Sequence, residues 1–449
     1  ERVKSDQDVR VLVMSAPGKD GLNNTKMTDD LRTLASSVLS SKPFDRGVHE
    51  RVIERFRGIE RDLCGDTKLT LGLPGLLSMR IELVAKQGIM APLEAIGEKV
   101  QGMLMARHLN QMGVRAVFLD SEDCMLVVKT ANGVVHVPTS NYGRLGAAII
   151  SSLKDAQVVV RPGYYGITWD GQILTFNRGG SDLTAAVDAA TLAQVGVGPL
   201  GYNGIVHQNW SDKDGISVID HKPLLDGSPR IRVMGFEELA QLTLGGSFGI
   251  FMAEAVGPLA RAGIPVHVRN SFADGEGTWV VPDSLLDPTY VRENPVRGIA
   301  FKPDFVRASV TQYDMGSNPG YFGEVTGELA SRRVSAEHMP TSQVGLSVIV
   351  SANAIGGVER LDGFRSALAA RVHADTSSSQ ADLSLIAVVG NGLSTATGLA
   401  GQIFTALGQK SINVATIIYE GGNNLIVGVQ NGQAAQAVEL IYNLFFGSK

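Results

Sequence analysis

Between residues 1 and about 295, short apolar runs alternate with longer stretches whose apolar side chains recur at helical spacing. VRVLVMSA (9–16), VRAVFLD (114–120), DAQVVVRPG (155–163), GIVHQNW (204–210) and IPVHVRN (264–270) read as strands of a sheet buried by helices. EAIGEKVQGMLMARHLNQMG (94–113) and GFEELAQLTLGGSFGIFMAEAVGPLARAG (235–263) read as helices. The alternation predicts an α/β fold, an open and mainly parallel sheet with helices on both faces. Ligands of such sheets bind beyond the strand ends, where this chain carries its Gly, Ser, Asp and Pro.

From about 300 onward the pattern changes to an internal repeat. Residues 319–350 align without a gap on 397–428, matching Gly320 with Gly398, Gly323 with Gly401, Leu329 with Leu407 and Val334 with Ile412. Each unit reads strand, Gly-opened helix, strand, turn, strand, the plan of a ferredoxin-like βαββαβ module. Nothing in either unit pairs a nucleophile with a base, so the pair reads as a sensor or an assembly surface. Three parts are expected: 1–295, 296–380 and 381–449.

At 449 residues the chain is too long for one core. A net charge of −5 gives no electrostatic reason to bind nucleic acid or an acidic membrane, and no apolar run approaches a bilayer's thickness. Two cysteines, Cys64 and Cys124, suit a reducing compartment better than a disulfide framework. GVGPLG (196–201) satisfies G-x-G-x-x-G, but Pro199 stands where a phosphate-binding helix would begin and no strand precedes it. The glycines of GNGLSTATG (390–398) suit the tight entry to a helix, no Walker A sequence occurs, and no His/Cys cluster has zinc spacing.

FNRGGSDLTAAVDAA (176–190) is the most pointed stretch. Arg178, Gly179, Gly180, Ser181 and Asp182 put a cation, exposed N–H groups and a carboxylate at one helix start, suited to an anion. The plain alternative is an ordinary cap made by Ser181 or Asp182.

VLVMSAPGKD…TKMTDDL (11–31), IGEKVQGMLMARHL (96–109), VVVRPGYYG (158–166), NRGGSDLTAA (177–186), NWSDKDGISVID (209–220) and AGIPVHVRNSFADGEGTWV (262–280) resemble, in this order, the kinase domain of the aspartate kinases. The repeat resembles their pair of regulatory ACT domains. The resemblance implies ATP- and Mg²⁺-dependent phosphorylation of the L-aspartate side-chain carboxylate, the first step toward lysine, threonine and methionine. It implies a substrate site at Ser15, Ala16, Thr28, Glu98 and Arg178, with Glu98 meeting the amino group and Gly179 and Gly180 the phosphoryl group. Nucleotide contacts fall at Gly163, Gly166, Ser211, Asp212, Asp214 and Gly215. An effector, lysine or threonine or both, falls at Met315, Gly320, Phe322, Ser335, Glu337, Thr341 and Ser342. A homo-oligomer joined through the ACT domains is implied, in a bacterial cytoplasm or a plastid.

Departures accompany the resemblance. The family's Lys-Phe-Gly-Gly-Thr/Ser strand, whose lysine neutralises phosphoryl charge, is absent, so a segment upstream of Glu1 is expected; the alternative is a non-catalytic amino-acid sensor. A related amino-acid kinase with another carboxylate or carbamate substrate is the other alternative, disfavoured by the ACT pair. Ala95 stands before Gly-Glu in place of Ser, Asp220-His221-Lys222 replaces Asp-Pro-Arg, and Phe248 occupies a usual lysine position.

Overall fold

The computed structural model describes residues 2–19, 24–40, 43–124, 126–131, 134–177, 179–201, 203–219, 224, 227–244, 252–419 and 422–447. The chain forms two compact units, Glu1–Asn209 with Phe251–His267, and Trp210–Ile250 with Val268–Lys449.

The first unit is built on β1 (Val11–Met14), β2 (Ala116–Phe118) and β3 (Val158–Pro162), all parallel in the order β1-β3-β2. Central β3 is buried at every position, which explains its unbroken apolar run. Its one charge, Arg161, donates from Nε to Asp188 at 3.0 Å. Asp188 lies on the helix Gly180–Val195, so this buried pair fixes that helix to the sheet. We number the helices α1 (Met27–Leu39), α2 (Arg46–Cys64), α3 (Leu73–Gln87), α4 (Ile96–Gln111), α5 (Tyr142–Leu153) and α6 (Gly180–Val195). Leu31, Phe56, Leu77, Ile96 and Leu104 join α1 to α4 in one core. A hairpin, β4 (Tyr165–Ile167) and β5 (Ile173–Thr175), follows β3.

The second unit contains a sheet of β6 (His207–Ser211), β7 (Val233–Gly235), β8 (Val266–Asn270) and β9 (Thr278–Val281), ordered β6-β8-β9-β7; the chain changes unit within β6 and within β8. All five expected strands are present. The helical stretch at 235–263 is corrected to two helices, α7 (Phe236–Leu244) and α8 (Ala253–Ala262). Met252, extended at φ −75° and ψ 129°, precedes α8 and rules out one continuous helix. GVGPLG forms a single 3₁₀ turn at Gly198–Leu200.

The repeats share one five-stranded antiparallel sheet: β10 (Gly298–Thr311), β11 (Gly345–Ser351), β12 (Thr376–Val389), β13 (Thr416–Tyr419) and β14 (Asn424–Gln430), ordered β11-β10-β12-β14-β13. Residues 298–302 pair with 385–389, whereas 305–311 pair with β11 and with 376–380. The first repeat is thus inserted into the second instead of preceding it, and β12 runs unbroken through residues 380 and 381. Asp304 and Asp382, with φ of 65° and 62°, mark where the long strands leave one repeat for the other. Helices α9 (Tyr321–Ser331), α10 (Leu361–Arg371), α11 (Leu399–Gln409) and α12 (Asn431–Phe446) complete the repeats. No helix among the described residues is long and apolar enough to cross a membrane.

Candidate active site

In the first unit the loops after β1 and β3 meet the starts of α4 and α6. Gly163 N–H donates to Met14 O at 2.9 Å, tying the two strand ends together. A Cβ at Gly97 would lie 2.7 Å from the Ala16 methyl, so only glycine lets the loop after β1 settle on the first turn of α4. The next residue is Glu98, buried, whose carboxylate takes backbone hydrogen bonds from itself and Ala16. Its Oε2 has no partner among the described residues. Burial outweighs those bonds and pushes the carboxyl up to about 8. A buried acid with a vacant lone pair is costly alone and is well placed to receive a cationic donor. Ser15 is exposed, and half-buried Thr28 stands in the first turn of α1.

Gly179 caps α6 in the left-handed region, φ 86°, with no side-chain cap, which answers the ordinary-cap alternative for Ser181 and Asp182. A Cβ on Gly180 would fall 2.6 Å from that of Phe176, and one on Gly163 would fall 2.5 Å from Ser181 Oγ. These contacts press the Pro-Gly-Tyr-Tyr loop onto the helix start. Asp182 accepts from Met252 N–H and Asn209 Nδ2, both at 3.2 Å, and burial raises its carboxyl to about 6. Two expectations change. Gly180 N–H donates to Asn177 O at 3.0 Å and is not free for a phosphoryl group. Gly166 lies in buried β4, its Cβ position 2.5 Å from Leu126 O, so it serves packing instead of facing phosphates. Arg178, Phe248 and Asp220-His221-Lys222 lie outside the described residues.

In the second unit, the turn after β6 closes on itself. Lys213 N–H donates to Ser211 Oγ at 3.0 Å, and Ser271 N–H donates to Ser211 O at 2.7 Å. Asp212 is exposed. Gly215 adopts φ 77°, and a Cβ there would lie 2.6 Å from Thr278 Oγ1. Asp214 is folded over Gly275, where any Cβ would sit 2.2 Å from both carboxylate oxygens; its Oδ1 is buried and has no partner among the described residues.

Of the effector residues, Gly320 caps α9 at φ 94°, Phe322 is exposed, and Met315 is buried in the first repeat's core. Exposed Thr341 and Ser342 form the turn before β11, Ser342 N–H donating to Gly345 O at 2.8 Å. This turn neighbours the loop before α9, since Gln312 N–H donates to Val344 O at 2.9 Å. Ser335 and Glu337 line a cavity of about 310 Å³ with Phe301, Lys302 and Phe305 instead, Glu337 standing 3.9 Å from Lys302 Nζ.

Sequence reading missed the residues that hold these groups. Asn209 and Met252 fix Asp182, and Tyr165 donates to Asp120 at 2.6 Å while Lys99 pairs with the same carboxylate at 2.6 Å. Lys99 follows Glu98, so this relay joins the start of α4, through Asp120 after β2, to β4. Asn209, Lys99 and Tyr165 lie inside NWSDKDG, IGEKVQ and PGYYG, but nothing local marked which groups they hold.

Comparison with known proteins agrees with this geometry. An ACT domain profile matches residues 386–445. Aspartokinase 3 of Bacillus subtilis is 26% identical over 99% of this chain and 94% of its own, and lysine-sensitive aspartokinase 3 of Escherichia coli is 24% identical over 99% and 94%. The crystal structure of Clostridium acetobutylicum aspartate kinase, an allosteric enzyme, superimposes with a TM-score of 0.78 at 25% identity, covering 99% of this chain and 95% of that one. E. coli aspartokinase III in complex with aspartate and ADP superimposes at 0.76, with 23% identity, covering 98% and 94%, and attests the shared fold. The expected resemblance and fold class are borne out. A profile of the amino acid kinase family matches residues 11–270, more than half of the sequence, and the chain belongs to that family.

Proposed function

We propose that this protein is an aspartate kinase: it transfers the γ-phosphoryl group of ATP to the side-chain carboxylate of L-aspartate under feedback from an amino acid. The observation that carries this reading is Glu98, a buried carboxylate with one unpartnered oxygen beside the loop after β1. It would receive the substrate ammonium, Arg178 the α-carboxylate, and Ser15, Ala16 and Thr28 the remaining edge. The attacking oxygen is already anionic, so no base is needed: it bonds to the γ-phosphorus, the bond to the β-bridging oxygen breaks, and ADP leaves. Such a reaction asks for positioning and charge neutralisation. Among the described residues no three metal-ligating side chains converge. Mg²⁺ would therefore enter as part of the MgATP substrate, with Asp182 ordering the phosphate end through Asn209 and Met252. Ser211, Asp212, Asp214, Gly215 and Gly163 are the proposed nucleotide contacts. We keep residues 1–295 as the catalytic part and 296–449 as the ACT pair, whose loops at 315–322 and 341–342 would take lysine or threonine and whose faces would join copies of the chain. The two cysteines are both free, which suits a reducing cytoplasm.

The test is aspartate-dependent ADP release from MgATP, with and without lysine and threonine, from about pH 6 to 9. Free Glu98 is protonated below about 8, so kcat/KM for aspartate rises with pH and levels off above that value. Glu98→Gln removes the dependence and lowers kcat/KM by roughly 2–5 kcal/mol equivalent. The linked stability effect has the opposite slope. The native state binds the extra proton between about 4.5 and 8, so stability held by the neutral acid is lost as pH rises through that window, and aspartate restores it. No aspartate-dependent turnover at any pH would sink the kinase reading.

A further inference from the structure

We propose that Arg32 and Glu94 are positioning residues of the aspartate site: their ion pair ties α1, which carries Thr28, to the segment that enters α4 at Glu98, and it sets the charge beside Glu98. The inference rests on the aspartate kinase reading and deepens it.

The pair is built from side chains with fixed partners. Arg32 lies one helical turn after Thr28 on α1, so the two share a face. Arg32 Nε donates to Glu94 Oε1 at 2.7 Å, and its Nη2 donates to the Tyr164 hydroxyl at 3.4 Å. Buried Glu94 accepts on its second oxygen from Thr175 Oγ1, at the end of β5, at 3.1 Å. Tyr164 has anchors of its own and sits at φ 74°, a backbone that bulky side chains seldom adopt. Its N–H donates to Thr184 Oγ1 of α6 at 3.1 Å, and its carbonyl accepts from Phe176 N–H at 2.8 Å. One guanidinium therefore joins α1 to the approach to α4 and braces both against a residue that is already fixed.

The pair also acts on charge. Glu94 precedes Glu98 by four residues, and Ala95 between them is helical at φ −66° and ψ −18°, so the two carboxyl groups are neighbours along one face. Burial is the main cause that raises the Glu98 carboxyl to about 8, and the charge on Glu94 adds to it. Around Glu98 stand Glu94 from its own segment, Tyr164 from the loop after β3 and, beside Glu94, Arg32 from α1. The loop after β1 brings uncharged Ala16, Lys99 is turned to Asp120 and Glu122, and Asp30 of α1 is turned to Arg51. Glu94 therefore imposes on Glu98 only the charge that Arg32 leaves uncompensated.

The test is the pH profile of aspartate-dependent ADP release from MgATP by the full chain. In Glu94→Gln the like charge is gone and the cation remains, so the rise in kcat/KM for aspartate should move to lower pH by about 0.5–1 unit. Arg32→Gln/Glu94→Gln, which leaves no buried charge unpaired, should move it in the same direction by less. Arg32→Gln should raise KM for aspartate roughly tenfold or more while KM for MgATP stays within about twofold. Arg32→Lys, which keeps the charge and loses the fork, should recover part of that loss. The proposal is overturned if Glu94→Gln and the double variant keep the wild-type profile, or if Arg32→Gln leaves KM for aspartate within about twofold. Either result, with a wild type that turns over aspartate, leaves the kinase reading standing; a wild type without turnover sinks both.

Discussion

The two repeats begin alike and end in different surroundings. Gly320 and Gly398 cap their helices with φ of 94° and 86°, and Leu329 and Leu407, Val334 and Ile412 are buried at matching positions. The loops just before these glycines differ. In the first repeat Gln312 and Asp314 precede the 3₁₀ turn, and the loop leaves Tyr313 73% exposed and Phe322 48% exposed. In the second, Gly390 and Gly392 occupy the matching positions and pack on residues 291–297. A Cβ at Gly390 would lie 2.2 Å from Pro295 O, and one at Gly392 would lie 2.4 Å from Pro295 Cα. The second loop is thereby clamped where Glu238 meets Arg297, whose guanidinium also stands 4.3 Å over the Tyr290 ring. One fold used twice gives an open loop suited to sensing and a fastened loop suited to transmission, and two missing side chains decide which is which.

The largest effect should come from the fastened side. Arg297→Met leaves Glu238, which accepts from Asn391 N–H and whose carboxyl burial already pushes up, without its cation, at a cost of about 3–5 kcal/mol in thermal or denaturant unfolding. A loss below about 1 kcal/mol would show that the second loop is not clamped by this pair. Leu329→Ala and Leu407→Ala should each cost about 2–5 kcal/mol, since both are buried at equivalent sites. A difference between them greater than that range would break the equivalence of the repeats. Gly392→Val should cost about 1–3 kcal/mol through overpacking on Pro295, whereas Asp314→Val at the matching open position should stay within about 0.5 kcal/mol. Amide exchange read by mass spectrometry would show whether loosening is confined to 390–398. The smallest effect is expected at the pair of half-buried Glu328, on α9, and exposed Arg332, its C-cap, 2.6 Å apart, where Arg332→Ala should cost only about 0.3–0.5 kcal/mol, falling with salt.

Legibility followed the range of the signal. The five catalytic strands, α4 and the Gly-opened helices were readable because each depends on a local period or a local backbone demand. Gly320 and Gly398 declared their helix starts without any neighbour in view, whereas at α6 the sequence offered Ser181 or Asp182 as the cap and the structure uses Gly179. The single helix drawn over 235–263 failed because apolar spacing does not report the extended backbone of Met252, φ −75° and ψ 129°, which stands just before α8. Gly166 was assigned by its position in a motif, and its contact with Leu126 O, 40 residues earlier in the chain, was invisible. The same holds for Gly390 and Gly392, read as helix entry and found to be packing surfaces.

By itself the sequence determined the α/β plan of the catalytic part and the repeat, because periodicity and glycine geometry act over a few residues, while phosphoryl transfer entered only through the resemblance to the aspartate kinases. Only the tertiary structure decided that β10 and β12 are shared between the repeats, that Glu98 is buried with an oxygen unpartnered, and that Glu238 fastens the second loop. Each of those facts depends on which distant group removes water from a polar atom or takes its hydrogen bond, and burial of that kind is settled only when the chain has closed on itself.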